Sequence, residues 1–194
     1  NTKFDQTYAE VTPEDLKTYK EELGLYDDYP VIVAGSTHPT EEEKLFEAFT
    51  EVQKEFPRAR LLIAPRKPGR THEITRLAER FGLTVGLRSV LRDEKGQRPR
   101  YPVILIDTIG ELGRIYAVGD VVFVGGSLIN HGGHNVLEPA AHAKPIIVGP
   151  SMSNFKDSFS LLSKVGACVQ IRDTKELTAM FLTILRDDAL RKKM

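Results

Sequence analysis

From residue 31 to its end, the chain alternates short apolar runs with longer amphipathic segments. The runs 31–34 and 121–124 are continuously apolar and lack the polar alternation of a strand with one face in water. Such strands must be covered on both faces, which a parallel sheet between two layers of helices achieves. The sequence therefore predicts an α/β fold with a doubly wound, Rossmann-like parallel sheet. Sheets of this kind bind ligands beyond the carboxyl ends of their strands.

The first 30 residues differ from the rest because they are acidic and sparsely apolar. They contain one helical segment, predicted at residues 13–23 and ended by Gly24. We interpret residues 1–30 as a linker with a docking helix that leads from an upstream domain. Residues 31–194 are then one Rossmann-like domain.

Charge and cysteine content exclude several classes of protein. The 27 Lys and Arg residues equal the 27 Asp and Glu residues, which argues against a protein that mainly neutralises nucleic-acid phosphates. The only cysteine, Cys168, excludes a disulfide framework and a four-thiolate metal site. The apolar runs are too short to span a bilayer, and no signal-peptide pattern opens the chain. A soluble cytosolic domain is the expectation.

The most informative stretch is the glycine loop, residues 125–135, with the sequence Gly-Gly-Ser-Leu-Ile-Asn-His-Gly-Gly-His-Asn. It joins a predicted buried strand to the start of a predicted helix. Its glycines leave few side chains to keep a ligand from the backbone, and free amides meet the positive helix end there. This favours a phosphate or carboxylate site. The alternative is a tight connection in which the glycines serve only the turn.

Two Thr/Glu pairs have the spacing of a helix capping box, Thr40 with Glu43 and Thr108 with Glu111. This spacing favours a structural role for Glu111. However, Gly110 would let a flat base approach the backbone beside it. The sequence therefore leaves both a structural role and a binding role open for Glu111.

Glu138 lies three residues after Asn135 and also has two interpretations. In one, Asn135 caps the helix and Glu138 folds back towards it. In the other, the carboxylate accepts hydrogen bonds from the vicinal hydroxyls of a ribose, as acidic residues do in dinucleotide-binding folds. The spacing alone does not separate them.

Arg66 follows the second predicted strand in a turn stiffened by Pro65 and Pro68. Its guanidinium would lie at the sheet edge, suited to a bidentate contact with phosphate, although a lone loop arginine is commonly a solvated charge. The spaced glycines of G-x-G-x-x-G are missing after the first strand, and no Walker A pattern occurs. This counts against NAD binding and ATP hydrolysis.

The histidines do not form a known metal motif. His134 and His142 could share a helix face, but no H-E-x-x-H pattern and no clustered cysteines accompany them. The sequence therefore predicts no metal site.

Taken together, these motifs resemble the C-terminal half of the 3-deoxy-D-manno-octulosonic acid (Kdo) transferases. The resemblance covers nearly the whole chain, and it is carried by Asn1 to Asp5, Gly35 to Pro39 with Glu41 to Glu43, Asp107 to Leu112, Gly125 to Leu128, His131 to Asn135, Leu137-Glu138 and Asn154 to Asp157. Lys67-Pro68-Gly69, directly after the Pro65-Arg66 pair, departs from the His-Pro-Glu-like turn of many relatives, so no role is carried over to these three residues.

The resemblance implies the C-terminal half of a GT-B glycosyltransferase that transfers Kdo from CMP-Kdo to a lipid A precursor, lipid IVA, in lipopolysaccharide biosynthesis. The resemblance also implies that the full-length protein acts at the cytoplasmic face of the bacterial inner membrane. Residues 31–194 would bind the donor CMP-Kdo without a cofactor or metal. The acceptor-binding half, with the general base, is expected before the linker, so this chain alone is expected to bind CMP and not to catalyse.

The resemblance also implies the CMP contacts. The backbone around Ile109 to Glu111 would recognise the edge of cytosine, and Glu138 would bind the ribose. Arg66 and the helix start at Asn135, together with Ser127, would stabilise the phosphate as it leaves. The full set of implied CMP-binding residues is Pro65, Arg66, Ile109, Gly110, Glu111, Ser127, Asn135, Val136, Leu137 and Glu138.

Two other interpretations remain open at this point. The same fold could be the donor-binding half of another nucleotide-sugar enzyme, such as a UDP-sugar transferase or epimerase. The chain could also be a non-catalytic α/β interaction module.

Overall fold

The computed structural model describes residues 10–25, 29–93 and 99–194. The motif at residues 1–5 therefore lies outside the described residues. The described part contains one seven-stranded sheet, in which every pairing is parallel. The predicted doubly wound parallel sheet is confirmed.

The strands follow the order β3-β4-β2-β1-β5-β6-β7 across the sheet. Their bounds are β1 Val31–Thr37, β2 Arg60–Pro65, β3 Val85–Leu87, β4 Val103–Leu105, β5 Val121–Val124, β6 Ile146–Val148 and β7 Cys168–Gln170. The chain starts in the middle with β1, builds one side of the sheet through β4, and returns to place β5 against the other edge of β1. The loops that follow β1 and β5 therefore meet at the point where the winding reverses, which is the usual ligand site of such sheets.

The described helices flank the sheet. Their bounds are α1 Pro13–Glu22, α2 Glu41–Glu55, α3 Thr71–Arg80, α4 Arg88–Asp93, α5 Leu112–Ile115, α6 Leu137–Ala140, α7 Lys156–Lys164, α8 Thr174–Arg186 and α9 Asp188–Lys193. Short 3-10 turns occupy Pro68–Arg70, Tyr116–Val118 and Ser153–Phe155. None of the helices in the described ranges is long and apolar enough to cross a bilayer.

Both faces of the sheet are buried, which explains the continuously apolar strands. On β1, Ile32 and Ala34 pack with α2, α3 and α8, whereas Val31 and Val33 pack with α5 and the segment that follows α1. All four side chains are at most 4% exposed. The central strands therefore need apolar residues at successive positions, and not only at alternate ones.

The docking helix α1 packs on this same domain. Thr12 and Asp15 form a reciprocal capping box at its start, and Gly24 lies just beyond its end with φ of 67°. After the helix, Leu23 and Leu25 are buried in the core beside the sheet. The boundary at residue 30 stays a prediction, but the segment before it contributes apolar side chains to the core.

Candidate functional site

One buried carboxylate joins the two loops at the switch point. Glu41, the first residue of α2, is fully buried and accepts hydrogen bonds from the backbone N–H groups of Gly126, Ser127 and Leu128 at 2.8–3.1 Å. It also accepts one from the His38 N–H at 3.0 Å. We assign the ionised form because all four contacts come from N–H donors. Burial raises the pKa of Glu41, and the four amides oppose this rise.

The predicted anion site in the glycine loop is therefore partly filled from within the chain. The Glu41 carboxylate binds the amides that the first half of the loop provides, so they are not free for a ligand phosphate. Sequence reasoning missed this role. The capping box predicted at Thr40 and Glu43 is wrong: Thr40 has a left-handed φ of 72° and makes no cap, and Glu43 bonds Arg80 instead.

Ser127 also belongs to the fold and not to an open phosphate site. Its side chain is fully buried; the hydroxyl donates to the carbonyl of Val124 and accepts from the Gly149 N–H at 2.8 Å. Its own amide donates to Glu41. The predicted contact of Ser127 with the donor phosphate stays a prediction, and the structure disfavours it because the polar groups of Ser127 are already paired inside the protein.

The second half of the glycine loop is held by the segment after β6. The Gly132 N–H donates to the Ser151 hydroxyl at 2.9 Å, and the Asn154 side-chain amide donates to the carbonyl of His131 at 2.9 Å. Gly132 and Gly133 have φ of 94° and 74°, which side chains rarely adopt. These contacts fix the loop where it turns towards α6.

Three histidine side chains lie close together where the loops after β1 and β5 meet. Nε2 of His38, after β1, lies 2.8 Å from Nε2 of His134, and the exposed His131 ring lies beside both. Burial lowers the pKa of His134 to about 4 and also lowers that of His38, with the charge of Arg66 contributing in each case. Arg66 therefore lies on the same rim of the sheet as the glycine loop.

The Asn135–Glu138 pair is intermediate between its two interpretations. The Leu137 N–H donates to Oδ1 of Asn135 at 3.0 Å, and Nδ2 of Asn135 donates to Oε1 of Glu138 at 3.2 Å. Asn135 thus holds the first N–H of α6 from the position before the N-cap, because the N-cap itself is Val136 and makes no side-chain cap. The helix is only 4 residues long, so its dipole is weak. Glu138 does not return to the backbone. Burial raises its pKa, and Asn135 partly opposes this rise.

The loop before α5 presents its backbone to solvent. Ile109 is 87% exposed, and Gly110 has φ of 85° with nothing within 4 Å of an added Cβ. The capping box predicted for Thr108 and Glu111 does not form, because α5 starts at Leu112 without a side-chain cap. The Thr108 hydroxyl bonds the Glu111 carboxylate instead.

Glu111 is bound by a buried arginine that the sequence did not reveal. Nε and Nη2 of Arg88, which is 1% exposed, donate to the Glu111 carboxylate at 3.1 Å, and Nη2 also donates to Glu22 of α1 at 2.6 Å. This ion pair fixes the base of the loop and ties it to α1. The backbone of Ile109 to Glu111, and not the Glu111 side chain, is therefore the part available to a ligand.

Because Arg88 pairs with Glu111, we expect the free energy of unfolding of the protein to depend on pH. Burial would raise the pKa of Glu111, but hydrogen bonds from Arg88 and Thr108 outweigh it, and the net pKa is lowered. Glu111 therefore stabilises the fold above its ordinary pKa of about 4.5, and this contribution is lost as the pH falls through the lower folded-state value. We expect Glu111→Gln to reduce the free energy of unfolding by about 2 kcal/mol at neutral pH.

Urea unfolding of both proteins at several pH values measures this effect. The difference between wild type and Glu111→Gln should shrink once the pH is below the folded-state pKa, because a protonated glutamate and a glutamine are then equivalent. Glu51→Gln, which breaks an exposed pair with Lys54, is the matched control and should change stability by less than about 0.5 kcal/mol. A difference that is the same at neutral and acidic pH would contradict the assignment.

The predicted site residues form two groups, those in the loops at one edge of the sheet and those buried beneath these loops. Arg66, Gly110 and Glu138 follow β2, β4 and β5 at one edge of the sheet, where the carboxyl ends of its strands meet. A Cβ added at Gly113 of α5 would lie 3.9 Å from Glu138, which places this carboxylate beside the helix that follows the Gly110 loop. Pro65 and Val136 are buried, so their side chains support these loops.

Comparisons with known proteins agree with this arrangement. No protein-family model matches the chain. A curated 3-deoxy-D-manno-octulosonic acid transferase from Haemophilus influenzae is 36% identical over 172 residues, which are 84% of this chain and 39% of that protein. The chain spans about two fifths of the length of the curated relatives that it matches first.

Two solved structures share the fold. The C-terminal domain of a glycosyl transferase group 1 family protein from Francisella tularensis has a TM-score of 0.57 at 17% identity, covering 96% of this chain and 88% of that one. The C-terminal CMP-Kdo binding domain of WaaA from Acinetobacter baumannii has a TM-score of 0.83 at 27% identity, covering 93% of this chain and 92% of that domain.

The fold, with its loops at the carboxyl ends of the parallel strands, is that of the C-terminal domain of a GT-B glycosyltransferase. More particularly, the chain is similar in sequence to Kdo transferases over most of its length, and its fold matches the C-terminal domain of one of them. The resemblance predicted from the motifs is confirmed.

Proposed function

We propose that this chain is the donor-binding domain of a Kdo transferase and binds CMP-Kdo at the edge defined by Arg66, Gly110 and Glu138. The similarity to the CMP-Kdo binding domain of WaaA, over nearly the full length of both chains, is the observation that carries this proposal. The whole protein would transfer Kdo to a lipid A precursor, lipid IVA, at the cytoplasmic face of the inner membrane. No organic cofactor is needed for this reaction.

Arg66 would hold the phosphate of the donor. The side chain is exposed, while its backbone N–H donates to the carbonyl of Thr37 at 2.9 Å and so fixes the end of β2 against the end of β1. Negative charge grows on CMP as the bond to the sugar breaks, and a guanidinium that contacts the phosphate stabilises this charge. This leaving-group stabilisation is the catalytic contribution that the domain would make.

The loop around Gly110 would recognise the base. Its backbone is exposed and lacks side-chain cover at Gly110, while Ile109 offers an exposed apolar surface beside it. Arg88 binds the carboxylate of Glu111 from below, so the loop has a defined position before a ligand arrives. Backbone N–H and C=O groups in a fixed loop can distinguish the edge of cytosine from that of uracil.

Glu138 would bind the ribose. Within the described residues its carboxylate accepts a hydrogen bond from Asn135, which leaves acceptor capacity for two hydroxyl groups. The half-buried position would strengthen these bonds relative to water. Asn135, Val136 and Leu137 would supply the backbone that places this carboxylate.

Calorimetric titration with nucleotides tests the proposal. We expect CMP to bind more tightly than UMP, CDP or cytidine. Arg66→Gln should weaken CMP binding about tenfold or more while changing cytidine binding little, because the lost bonds go to a charged phosphate. Arg58→Gln is the matched control, since Arg58 precedes the opposite end of the same strand.

Two outcomes would contradict the proposal. Equal binding of CMP and UMP would indicate another nucleotide-sugar enzyme, and no binding of any nucleotide would indicate an interaction module. Thermal unfolding of each variant should change little, because the Arg66 side chain is exposed and Arg58 loses only a contact with Tyr29 at the surface.

A further inference from the structure

We infer that His38, His131 and His134 form a binding site for a transition-metal ion of the zinc type. Each residue offers a ring nitrogen, and these three atoms lie within 4.8 Å of one another. The ring centroids are 4.3, 5.0 and 5.1 Å apart. The three side chains come from two loops that meet only because β1 and β5 are neighbours in the sheet.

The spacing suits a single ion. An imidazole nitrogen lies about 2.0–2.1 Å from bound zinc, so two such nitrogens on a tetrahedral ion are about 3.4 Å apart. The 2.8 Å contact between His38 and His134 needs to widen only slightly, and the ring nitrogen of His131 starts no more than 4.8 Å from the other two. That contact is itself a hydrogen bond, in which the accepting ring nitrogen carries no proton and has the lone pair that a metal requires.

The backbone around the histidines is fixed. A Cβ added at Gly126 would lie 2.9 Å from Cδ2 of His134 and 3.0 Å from Cδ2 of His131, so both rings pack directly on this glycine. Glu41 binds the amides of both Gly126 and His38, which holds the two loops in register and brings a carboxylate beneath the cluster. Metal sites depend on such supporting contacts for the orientation of their ligands.

Charge and ligand type together select the ion. Imidazole suits zinc, copper and nickel, whereas magnesium and calcium prefer oxygen ligands. The positive charges of Arg66, Arg70 and Lys67 near His38 oppose every cation at this site, so an ion has to be held by strong bonds to the imidazole nitrogens. With three protein ligands, the fourth position stays open, and these positive charges favour an anionic group such as a phosphate or carboxylate there.

The sequence predicted no metal site because it offered no local spacing motif. His38 is 96 residues away from His134, and the helix pairing considered for His134 and His142 does not exist. His142 instead contacts the carbonyl of Gly113 at 2.6 Å.

The test is a calorimetric titration of untagged, chelator-treated protein with zinc chloride in a phosphate-free buffer, without nucleotide. We expect one zinc ion per chain. His38→Gln, His131→Gln and His134→Gln should each weaken binding about tenfold or more. His72→Gln, at an exposed histidine of α3, is the matched control and should bind zinc as the wild type does. Cobalt(II) should give the intense visible absorption of a four-coordinate ion in the wild type and lose it in the three variants.

His131→Gln decides the result, because the side chain is exposed and its replacement is not expected to disturb the fold. Absence of saturable zinc binding, or equal affinity in the wild type and His131→Gln, would overturn the inference and leave a hydrogen-bonded histidine cluster without an ion. Since no nucleotide is present, this outcome is independent of whether CMP binds.

Discussion

Replacing Glu41 with alanine is expected to lower the free energy of unfolding by about 4 kcal/mol. The substitution leaves the N–H groups of His38, Gly126, Ser127 and Leu128 without their acceptor at a fully buried position. Each buried donor without a partner costs about 1–3 kcal/mol, and the costs are not fully additive. In a domain of this size the melting temperature should fall by roughly 10 °C. Urea unfolding and thermal melting both measure the effect.

Two further variants make this expectation specific. Glu41→Gln retains one acceptor oxygen and removes a buried charge, so about half of the loss is expected. Glu43→Ala lies two residues further along α2 and removes only an exposed pair with Arg80, so it should change stability by less than about 0.5 kcal/mol. Similar losses for Glu41→Ala and Glu43→Ala would show that the carboxylate of Glu41 does not organise the two loops.

Gly125→Ala is expected to destabilise the protein by about 3 kcal/mol. A Cβ at this position would lie 2.4 Å from the carbonyl oxygen of Ser36 and 2.8 Å from Cα of Thr37. These are backbone atoms at the end of β1, where the Gly125 N–H also donates to the carbonyl of Gly35 at 2.8 Å. No side chain can rotate away to relieve the overlap, so the two strand ends must separate.

Gly69→Ala is the matched control for Gly125→Ala. Nothing lies within 4 Å of a Cβ added there, and its φ is not in the left-handed region. Chemical unfolding should show a change within about 0.5 kcal/mol, or a small gain from the reduced freedom of the unfolded chain. If Gly125→Ala were as stable as Gly69→Ala, the close approach of the β1 and β5 loops would be refuted.

The capping boxes show how a local pattern can be overridden by tertiary contacts. Thr12 and Asp15 form the reciprocal box in the structure. Thr40 and Thr108 have the same spacing to a glutamate, but neither caps its helix. In both failures the glutamate reaches an arginine on another element, and an ion pair with a distant residue replaces the contact that the spacing suggested.

The candidate site was predictable in part. Arg66, Gly110 and Glu138 were predicted to lie at one edge because each follows a strand of a parallel sheet, and the structure places them there. The resemblance to Kdo transferases gave these residues their proposed roles. The structure disfavours the contact predicted for Ser127, because its hydroxyl is buried between Val124 and Gly149, which the spacing in the loop does not reveal.

The amino-acid sequence by itself determined the parallel sheet and the edge of that sheet at which we propose that the donor binds. Apolar periodicity and glycine or proline stops are local signals, and burial on both faces follows from them. Only the tertiary structure decided which side chains meet at that edge. Glu41 binds Gly126 across 85 residues, and His38 meets His134 across 96. Both contacts depend on β5 returning beside β1, a strand order that local periodicity does not encode.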